Sequence, residues 1–313
     1  MTYKVIFLGY MKVLVSGGSG FLGNYIKKEI VKIGWNYTTI GIDESDMLKY
    51  NFIKEIPSLC EDYDYVIHAA GKAHLVPRTE EERKSFFDIN VEGTKNFLNG
   101  LEKCQKLPKT LLFISSVAVY GLETGSNINE DYTKDAKDPY GQTKILAENL
   151  IIDWGKAKNV KICIVRPPLL IGKPAVGNLK SMIDGIMHFK YANIAGGKAR
   201  RSMILAEDLV AFIPKLLEVG GIYNLTDGHH PSFNEISRKI GNQVGKNILN
   251  IPFFVAKLLA LLGDFISYCR DRQFAFNSRQ LSKMTNDLTF DDSKARKIGW
   301  KPKLVLDEID SWM

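Results

Sequence analysis

The chain of 313 residues lacks the features that mark several common classes of protein. Its four cysteines are scattered without a Cys-x-x-Cys pair and its five histidines show no ligand spacing, so we expect neither a disulfide framework nor a metal site. The net charge is +7, yet no compact basic run with interleaved aromatics occurs, so we expect no nucleic-acid binding. No signal peptide is evident, and the unpaired thiols favour a cytoplasmic protein.

The sequence also lacks an apolar run long enough to cross a bilayer. Residues 251–266 come nearest, but they include Lys257 and Asp264 and fall short of the about 20 apolar residues that a spanning helix needs. Their apolar residues recur at helical spacing, which predicts an amphipathic helix. Packing in a core or protein interface and lying on a membrane surface both fit such a helix. We expect no stable membrane insertion.

Strand-like and helix-like segments alternate through the first half of the chain. Continuous apolar runs predict buried strands at 11–16, 37–42, 65–68, 111–114 and 161–165. Apolar residues at helical spacing predict helices at 91–103 and 140–154. This alternation predicts an α/β fold with a doubly wound parallel sheet of the Rossmann type. A smaller, mixed α/β C-terminal region follows Pro167-Pro168.

A glycine-rich turn joins the first predicted strand to the helix after it. Gly17 would permit a tight turn, Gly20 would let the backbone approach a pyrophosphate, and Gly23 would let helix and strand pack closely. Phe21 and Leu22 open the helix, whose first N–H groups and positive dipole end favour phosphate. The turn therefore predicts a dinucleotide site.

An acidic residue closes the second predicted strand. Asp43 lies 20 residues beyond Gly23, close to the offset of about 20 at which a carboxylate accepts both hydroxyls of the adenosine ribose. A 2′-phosphate would meet a like charge there, and no basic residue follows before Lys49. The sequence therefore favours NAD over NADP. Asp46 is a second candidate, for the adenine end.

The same pattern sets the expected domain boundaries. We expect a NAD-binding domain of residues 11–165 plus 203–227, because a strand, a helix over 206–219 and a further strand follow residue 203. Residues 166–202 plus 228–313 would form the substrate-binding region. Residues 1–10 precede the first strand and look like an N-terminal appendage.

Three polar residues form a candidate catalytic set. Tyr140 and Lys144 lie four residues apart on one face of the predicted helix. An ammonium about 4 Å from a phenol could lower the phenol pKa by on the order of three units, from about 10 to near 7. Such a phenol can act as a base near neutral pH. Ser116 would follow a central strand, where its hydroxyl can bond the reacting oxygen and share a proton with Tyr140.

These motifs, in this order, resemble the extended short-chain dehydrogenase/reductase family. Within it, the chain is similar to the NAD-dependent epimerase/dehydratase group that acts on nucleotide sugars. The resemblance runs from Met11 to the C-terminus and is carried by the glycine turn, Asp43, His68-Ala69-Ala70-Gly71, Asn90-Val91-Glu92-Gly93-Thr94, the run Ser116-Val117-Ala118-Val119-Tyr120-Gly121, Tyr140-x-x-x-Lys144 and Arg166-Pro167.

The resemblance implies roles for several residues. It implies Ser116, Tyr140 and Lys144 as the catalytic set, with Lys144 also holding the nicotinamide ribose. It implies that the nicotinamide side is lined by Ala69, Ala70, Gly71 and Lys72. A homodimer through the helices at 91–103 and 140–154 is also implied.

Further matches concern the substrate. Asn178 and Leu179 open a helix similar to the segment with which UDP-galactose 4-epimerases hold UDP. Arg201 matches the pyrophosphate-binding arginine of those enzymes, and a guanidinium fork suits a diphosphate. Arg279 is the candidate for a second such arginine, although its neighbours depart from the epimerase pattern.

The sequence disfavours some reactions of this group and leaves two of them open. Val117 and Ala118 stand where dehydratases of the group carry an acid pair, which disfavours a 4,6-dehydratase because neither can move a proton. Hydride transfer at C4 of a UDP- or dTDP-hexose by a 4-epimerase remains, as does an NAD(P)H-dependent 4-ketoreductase of a UDP-4-keto-6-deoxy-N-acetylhexosamine. A steroid- or flavonoid-type dehydrogenase is disfavoured by Asn178, Leu179 and Arg201. A non-catalytic NAD(P)-sensing or binding protein is the alternative of another class, although such proteins usually lose the Tyr or the Lys.

Overall fold

The computed structural model describes residues 11–72, 77, 79–270 and 276–309. The expected appendage at residues 1–10 lies outside this part of the chain. The described elements, in chain order, are β1 (Lys12–Ser16), α1 (Phe21–Lys32), β2 (Asn36–Gly41), β3 (Leu48–Lys49), β4 (Tyr65–His68), α2 (Glu80–Phe87), a π-helical turn (Asp88–Glu92), α3 (Gly93–Leu101), β5 (Thr110–Ile114), a 3₁₀ turn (Val117–Tyr120), β6 (Gly125–Ile128), α4 (Pro139–Lys158), β7 (Lys161–Arg166), β8 (Leu169–Ile171), α5 (Gly177–Met187), β9 (Ala192–Ile194), β10 (Met203–Leu205), α6 (Ala206–Val219), β11 (Gly221–Asn224), α7 (Phe233–Gln243), β12 (Leu249–Ile251), α8 (Phe253–Arg270), α9 (Ser278–Thr285), β13 (Leu288–Phe290), α10 (Ser293–Lys297) and α11 (Val305–Glu308).

The chain divides into two compact units. The first contains the described residues up to Gly121 together with Thr133–Arg166 and Leu209–Tyr223. The second contains Leu122–Tyr132, Pro167–Asp208 and the described residues from Asn224 onward. The expected boundaries placed residues 122–132, 203–208 and 224–227 in the NAD-binding domain, whereas this grouping places them in the second unit. Two of the reasons are that β6 pairs with β13 and β10 pairs with β8, outside the large sheet.

The first unit is built on a seven-stranded sheet in the order β11-β7-β5-β4-β1-β2-β3. Strand β1 pairs in parallel with both β2 and β4, β4 pairs with β5, and β5 pairs with β7. The strand order reverses between β1 and β4, which is where open α/β sheets bind ligands at the carboxyl ends of their strands. The α/β, doubly wound parallel sheet expected from the sequence is confirmed.

Apolar side chains from sheet and helices form the core of this unit. Leu14 of β1, Leu111 of β5 and Ile164 of β7 are fully buried, because each strand is covered on both faces. From α4, the longest helix of this unit, Ile151 and Trp154 pack into the same cluster. The packing fixes α4 beside β5, so residues at the start of α4 lie near the carboxyl end of that strand.

The second unit contains three short parallel pairs of strands, β8 with β10, β9 with β12 and β6 with β13. Its main core joins α5, α7 and α11 through apolar residues that include Leu179, Ile236 and Val305. A smaller cluster holds α8 and α9 through Ala256, Ala260 and Leu281. Among the described helices, none has both the length and the hydropathy needed to cross a membrane.

Candidate active site

The glycine turn between β1 and α1 forms a cradle with little room for side chains. Gly17 has a φ of 75°, and a Cβ there would lie 2.6 Å from the backbone nitrogen of Ala70. A Cβ on Gly23 would lie 2.1 Å from the carbonyl oxygen of Gly17. At Gly20 the space is open apart from that same oxygen at 3.4 Å. Helix α1 has no side-chain cap and no acidic residue in its first turn, so its N–H groups can bind an anion.

Two carboxylates lie beyond β2. Asp43 is exposed and accepts hydrogen bonds from Ser45 N at 2.9 Å and Ser45 Oγ at 2.6 Å, which lower the pKa of its carboxyl. Asp46 is buried, and its Oδ2 accepts from the backbone of Asp43 at 3.2 Å. The other oxygen, Oδ1, has no hydrogen-bond partner and lies 3.7 Å from the Cβ position of Gly18. A buried acceptor without a donor beside this cradle fits the hydroxyl groups of a dinucleotide.

The loop after β4 passes beside the cradle and is tied down by buried polar groups. Ser16 Oγ lies 2.6 Å from His68 Nδ1 and accepts from the backbone of Ala70 at 3.3 Å. The other ring nitrogen of His68 lies 3.0 Å from Thr94 Oγ1. Burial lowers the pKa of His68 to about 3, so its imidazole is neutral near pH 7. The histidine therefore positions the loop and is not suited to moving protons.

Asn90 belongs to the motif Asn90-Val91-Glu92-Gly93-Thr94, and the sequence alone assigns it no role. It lies in the π-helical turn, is 3% exposed, and accepts from the backbone of Lys72 at 2.7 Å. Its amide nitrogen donates to Thr143 Oγ1 of α4 at 3.0 Å. Its side chain also lies beside Gly71. The amide thus connects the loop expected beside the nicotinamide to the helix that carries Tyr140. π-helical turns are rare overall but often occur at functional sites. The turn that contains Asn90 would have indicated its importance, but the sequence alone does not reveal such a turn.

The structure brings the predicted catalytic set together in the first unit. Ser116 is the second residue after β5 and caps the 3₁₀ turn, its Oγ accepting from Ala118 N at 3.1 Å. Helix α4 starts at Pro139 because Asp138 caps it through Gly141 N at 3.0 Å. This start places Tyr140 in the first turn, where it shares a hydrogen bond with Ser116.

The electrostatics of the set differ from the sequence-based expectation. Burial raises the pKa of the Tyr140 phenol, and the hydrogen bond from Ser116 opposes this shift without overcoming it. The Nζ of Lys144 donates to the carbonyl of Ile114 at 2.8 Å and lies 4.6 Å from the centre of the Phe113 ring. Burial lowers the pKa of Lys144 to about 8. The expected lowering of the Tyr140 pKa by Lys144 was therefore wrong in direction for the protein alone.

A buried ion pair lies one turn beyond Lys144. Glu148 has no exposed side-chain surface, and its two oxygens accept from Arg166 Nε at 2.9 Å and Arg166 Nη2 at 2.7 Å. Ser115 Oγ and Lys134 Nζ complete the carboxylate's partners at 2.6 and 3.2 Å. Burial alone would raise the pKa of Glu148, but the hydrogen bonds and charge of Arg166 hold it below its usual value. The sequence could have indicated Glu148 as a site residue, because positions 140, 144 and 148 lie on one face of the same helix.

The residues expected to hold the substrate lie in the second unit. Asn178 is exposed in the first turn of α5, whereas the Leu179 side chain is buried in the core, which leaves only its backbone for a ligand. The guanidinium of Arg201 donates to the carbonyls of Arg200 at 2.8 Å, Asn286 at 2.6 Å and Lys283.

Arg201 therefore fastens the C-terminal end of α9 in this structure, and its guanidinium is not free for a diphosphate. Arg279 forms an ion pair with Glu123 at 2.5 Å and stays largely exposed. Within the part of the chain that the structure describes, no cluster of three or more His, Cys, Asp or Glu side chains could bind a metal ion.

Comparison with known proteins gives the context for this site. Residues 13–226 match the NAD dependent epimerase/dehydratase family. The chain is 26% identical over 310 residues to the N-acetyl-alpha-D-glucosaminyl-diphospho-ditrans,octacis-undecaprenol 4-epimerase of Escherichia coli O157:H7, covering 95% of this chain and 92% of that protein. It is 24% identical to the UDP-glucose 4-epimerase of Vibrio cholerae, covering 95% and 92%. The solved structure of RMD from Pseudomonas aeruginosa with NADPH superposes with a TM-score of 0.70 at 20% identity, covering 96% of each chain.

The parallel sheet and its glycine cradle define a dinucleotide-binding protein of the Rossmann type. The family match covers more than half of the chain and includes the cradle, Ser116, Tyr140 and Lys144. The chain therefore belongs to the NAD-dependent epimerase/dehydratase family, which confirms the resemblance drawn from its motifs. Its relatives support NAD(P) as cofactor without fixing the preference.

Proposed function

We propose that the protein is a 4-epimerase that transfers hydride at C4 of a hexose carried on a diphosphate, with NAD as its cofactor. The observation that carries the proposal is the set formed by Ser116, Tyr140 and Lys144 at the carboxyl end of β5, in the same unit as the glycine cradle. The two curated relatives described above are both named as 4-epimerases. Val117 and Ala118, which cannot move protons, speak against dehydration.

The chain's own residues can handle the proton at the reacting oxygen. NAD, when bound, supplies the hydride acceptor and donor. The phenol oxygen of Tyr140 takes the proton of the C4 hydroxyl and later returns it to the same oxygen, after the keto sugar has turned over and hydride has returned to the opposite face of C4. The Ser116 hydroxyl bonds the same oxygen and keeps it near Tyr140. Because burial raises the pKa of Tyr140, this base needs the positive charge of Lys144 directed towards it during catalysis.

The cofactor preference and the carrier are further parts of the proposal. Asp43 is ionised and exposed beyond β2, which supports NAD over NADP because a 2′-phosphate would meet its charge. The carrier attached to the diphosphate is a nucleoside, as in UDP or dTDP, or a polyprenol, as in the name of the Escherichia coli relative. In either case Asn178, the backbone of Leu179 and Arg279 are the proposed diphosphate-side residues, and Arg201 joins them only if its guanidinium leaves the carbonyls of Lys283 and Asn286. A homodimer through α3 and α4 also remains a proposal.

The decisive experiment follows the stereochemistry at C4. We expect the purified protein, given UDP-, dTDP- and polyprenyl-diphosphate hexoses without added NADH, to interconvert the C4 epimers of at least one of them, detected by the coupling constant of the H4 proton in NMR spectra. The Tyr140→Phe variant should lose about 10²–10⁴-fold in kcat while keeping its affinity for NAD, because it loses only the acid/base group.

The exposed Tyr268→Phe change, at a side chain that is 89% exposed, serves as the matched control and should have no effect. Stoichiometric consumption of NADH on a 4-keto sugar would replace the epimerase with the ketoreductase. Full activity of Tyr140→Phe would remove the proposed site.

A further inference from the structure

Helix α8 in the second unit presents its large apolar side chains outward and its small ones inward. Ala256 and Ala260 are at most 1% exposed and pack against Ile194 and Leu281. The outward residues are between 46% and 89% exposed: Phe253, Phe254, Leu258, Leu259, Leu261, Leu262, Phe265 and Tyr268. This is the reverse of an ordinary surface helix, whose large apolar side chains face the core. Stability of the described fold therefore does not explain why these positions are apolar.

Six of these residues form one continuous stripe. At 3.6 residues per turn, they fall within about 120° of the helix circumference, and we call them the α8 face: Phe254, Leu258, Leu261, Leu262, Phe265 and Tyr268. The polar residues Lys257 and Asp264 lie along one edge of the stripe. Asp264 is engaged there by Ser278, whose Oγ donates to it at 2.5 Å. A contiguous exposed apolar patch of this kind marks an interaction surface.

The charge of the segment that contains the α8 face selects among possible partners. In the sequence, residues 246–283 contain six basic and two acidic side chains, a net charge of +4 out of +7 for the whole chain. Two of the basic residues, Arg279 and Lys283, lie against Glu123 in the structure, whereas Lys257 belongs to α8 itself. Basic residues beside an exposed apolar helix face are the composition of helices that lie in the headgroup region of anionic membranes. The helix itself is not long and apolar enough to cross a bilayer, so its contact would be with the surface.

We propose that the α8 face docks on the surface of an anionic phospholipid bilayer. The apolar side chains enter the boundary between headgroups and acyl chains, and the basic segment contacts the lipid phosphates. A polyprenyl diphosphate sugar is anchored in a bilayer by its hydrocarbon chain, so docking favours that carrier over a free nucleotide. This consequence for the carrier rests on the proposed function, whereas the docking itself does not.

The test is flotation of the full chain with its cofactor on vesicles of three parts phosphatidylcholine to one part phosphatidylglycerol. We expect the protein to float with these vesicles, and less with pure phosphatidylcholine or at high salt. The variant with Phe254→Ser, Leu258→Ser and Phe265→Ser should bind at least about tenfold more weakly, because three apolar side chains are lost from the contact. The matched control is Val31→Ser on α1, at a residue that is 62% exposed outside the α8 face, and it should float like the wild type.

Two control measurements separate loss of docking from loss of folding or of catalysis. Thermal unfolding and NAD binding should match the wild type in all variants, because the altered side chains are exposed. The inactive Tyr140→Phe variant should still float, which separates docking from catalysis. If the wild type stays with the soluble fraction on both vesicle types, the proposal is overturned. It is overturned equally if the triple variant floats normally and instead changes from dimer to monomer in sedimentation, since the face would then bind a second copy.

Discussion

The ion pair between Glu148 and Arg166 offers the sharpest test of the site's energetics. Glu148→Gln keeps the shape of the side chain but removes its charge, leaving the guanidinium of Arg166, 2% exposed, without a counter-charge. Removing one partner of a buried pair costs about 3–5 kcal/mol. At about 2–4 °C per kcal/mol for a chain of this size class, the melting temperature should fall by roughly 6–20 °C.

A double-mutant cycle measures whether this cost comes from the pair. Arg166→Met should destabilise by a similar amount, and the double variant should recover much of the loss because both charges are gone. Asp184→Asn in the exposed pair with Lys180 is the matched control and should cost at most about 1 kcal/mol. Losses in the double variant that equal the sum of the single losses within about 0.5 kcal/mol would refute the reasoning.

The same pair predicts a pH dependence of stability. Because the folded-state pKa of Glu148 lies below its usual value of 4.5, its ionisation stabilises the fold above about pH 4.5. This contribution is lost as the pH falls through the folded-state pKa. The difference in unfolding free energy between wild type and Glu148→Gln should therefore shrink on acidification from about pH 5 to pH 3. A constant difference over that range, measured by urea unfolding, would show that Glu148 does not titrate as described.

Two further predictions concern the cradle. Gly23→Ala forces a Cβ against a carbonyl oxygen, so it should lower the free energy of unfolding by about 1–3 kcal/mol and abolish NAD binding. Gly20→Ala has room for its Cβ in the protein alone, so it should unfold like the wild type and lose only NAD affinity. Calorimetry and NAD titration distinguish the two variants, and equal stability of both would contradict the packing described for Gly23. Asp43→Asn should shift the ratio of NAD to NADP affinity towards NADP by about tenfold, since the like charge is removed; an unchanged ratio in fluorescence titrations would mean that Asp43 does not face the ribose.

Much of the first unit could be predicted from the sequence because its signals are local. The glycine spacing predicted a cradle whose positions 17 and 23 leave no room for a Cβ. The helix expected over 206–219 is α6 with the same bounds. Helix α2 gave no such signal, because its first turn is Glu80-Glu81-Glu82 and only Phe86 is buried. Apolar periodicity cannot identify a helix that buries one side chain.

The parts that could not be predicted depend on burial and on partners distant in sequence. The raised pKa of Tyr140 follows from burial, which the Tyr-x-x-x-Lys spacing does not show. Two of the three carbonyls that hold Arg201 come from residues more than 80 positions away, so no local motif could indicate that its guanidinium is already bonded. The pairing of Glu148 with Arg166 joins a helix to the next strand and became visible only in the fold.

The side chain of Asn90 has a mechanical consequence for the site. Its oxygen holds the strand-end loop at Lys72 and its nitrogen holds α4 at Thr143; the first bond is partly buried and the second is shielded from water. A displacement of that loop therefore pulls on the helix through one rigid, planar group. The loop expected beside the nicotinamide and the phenol of Tyr140 should therefore be displaced together. A change in how the loop binds the cofactor would then also change the distance between the phenol oxygen and the substrate hydroxyl.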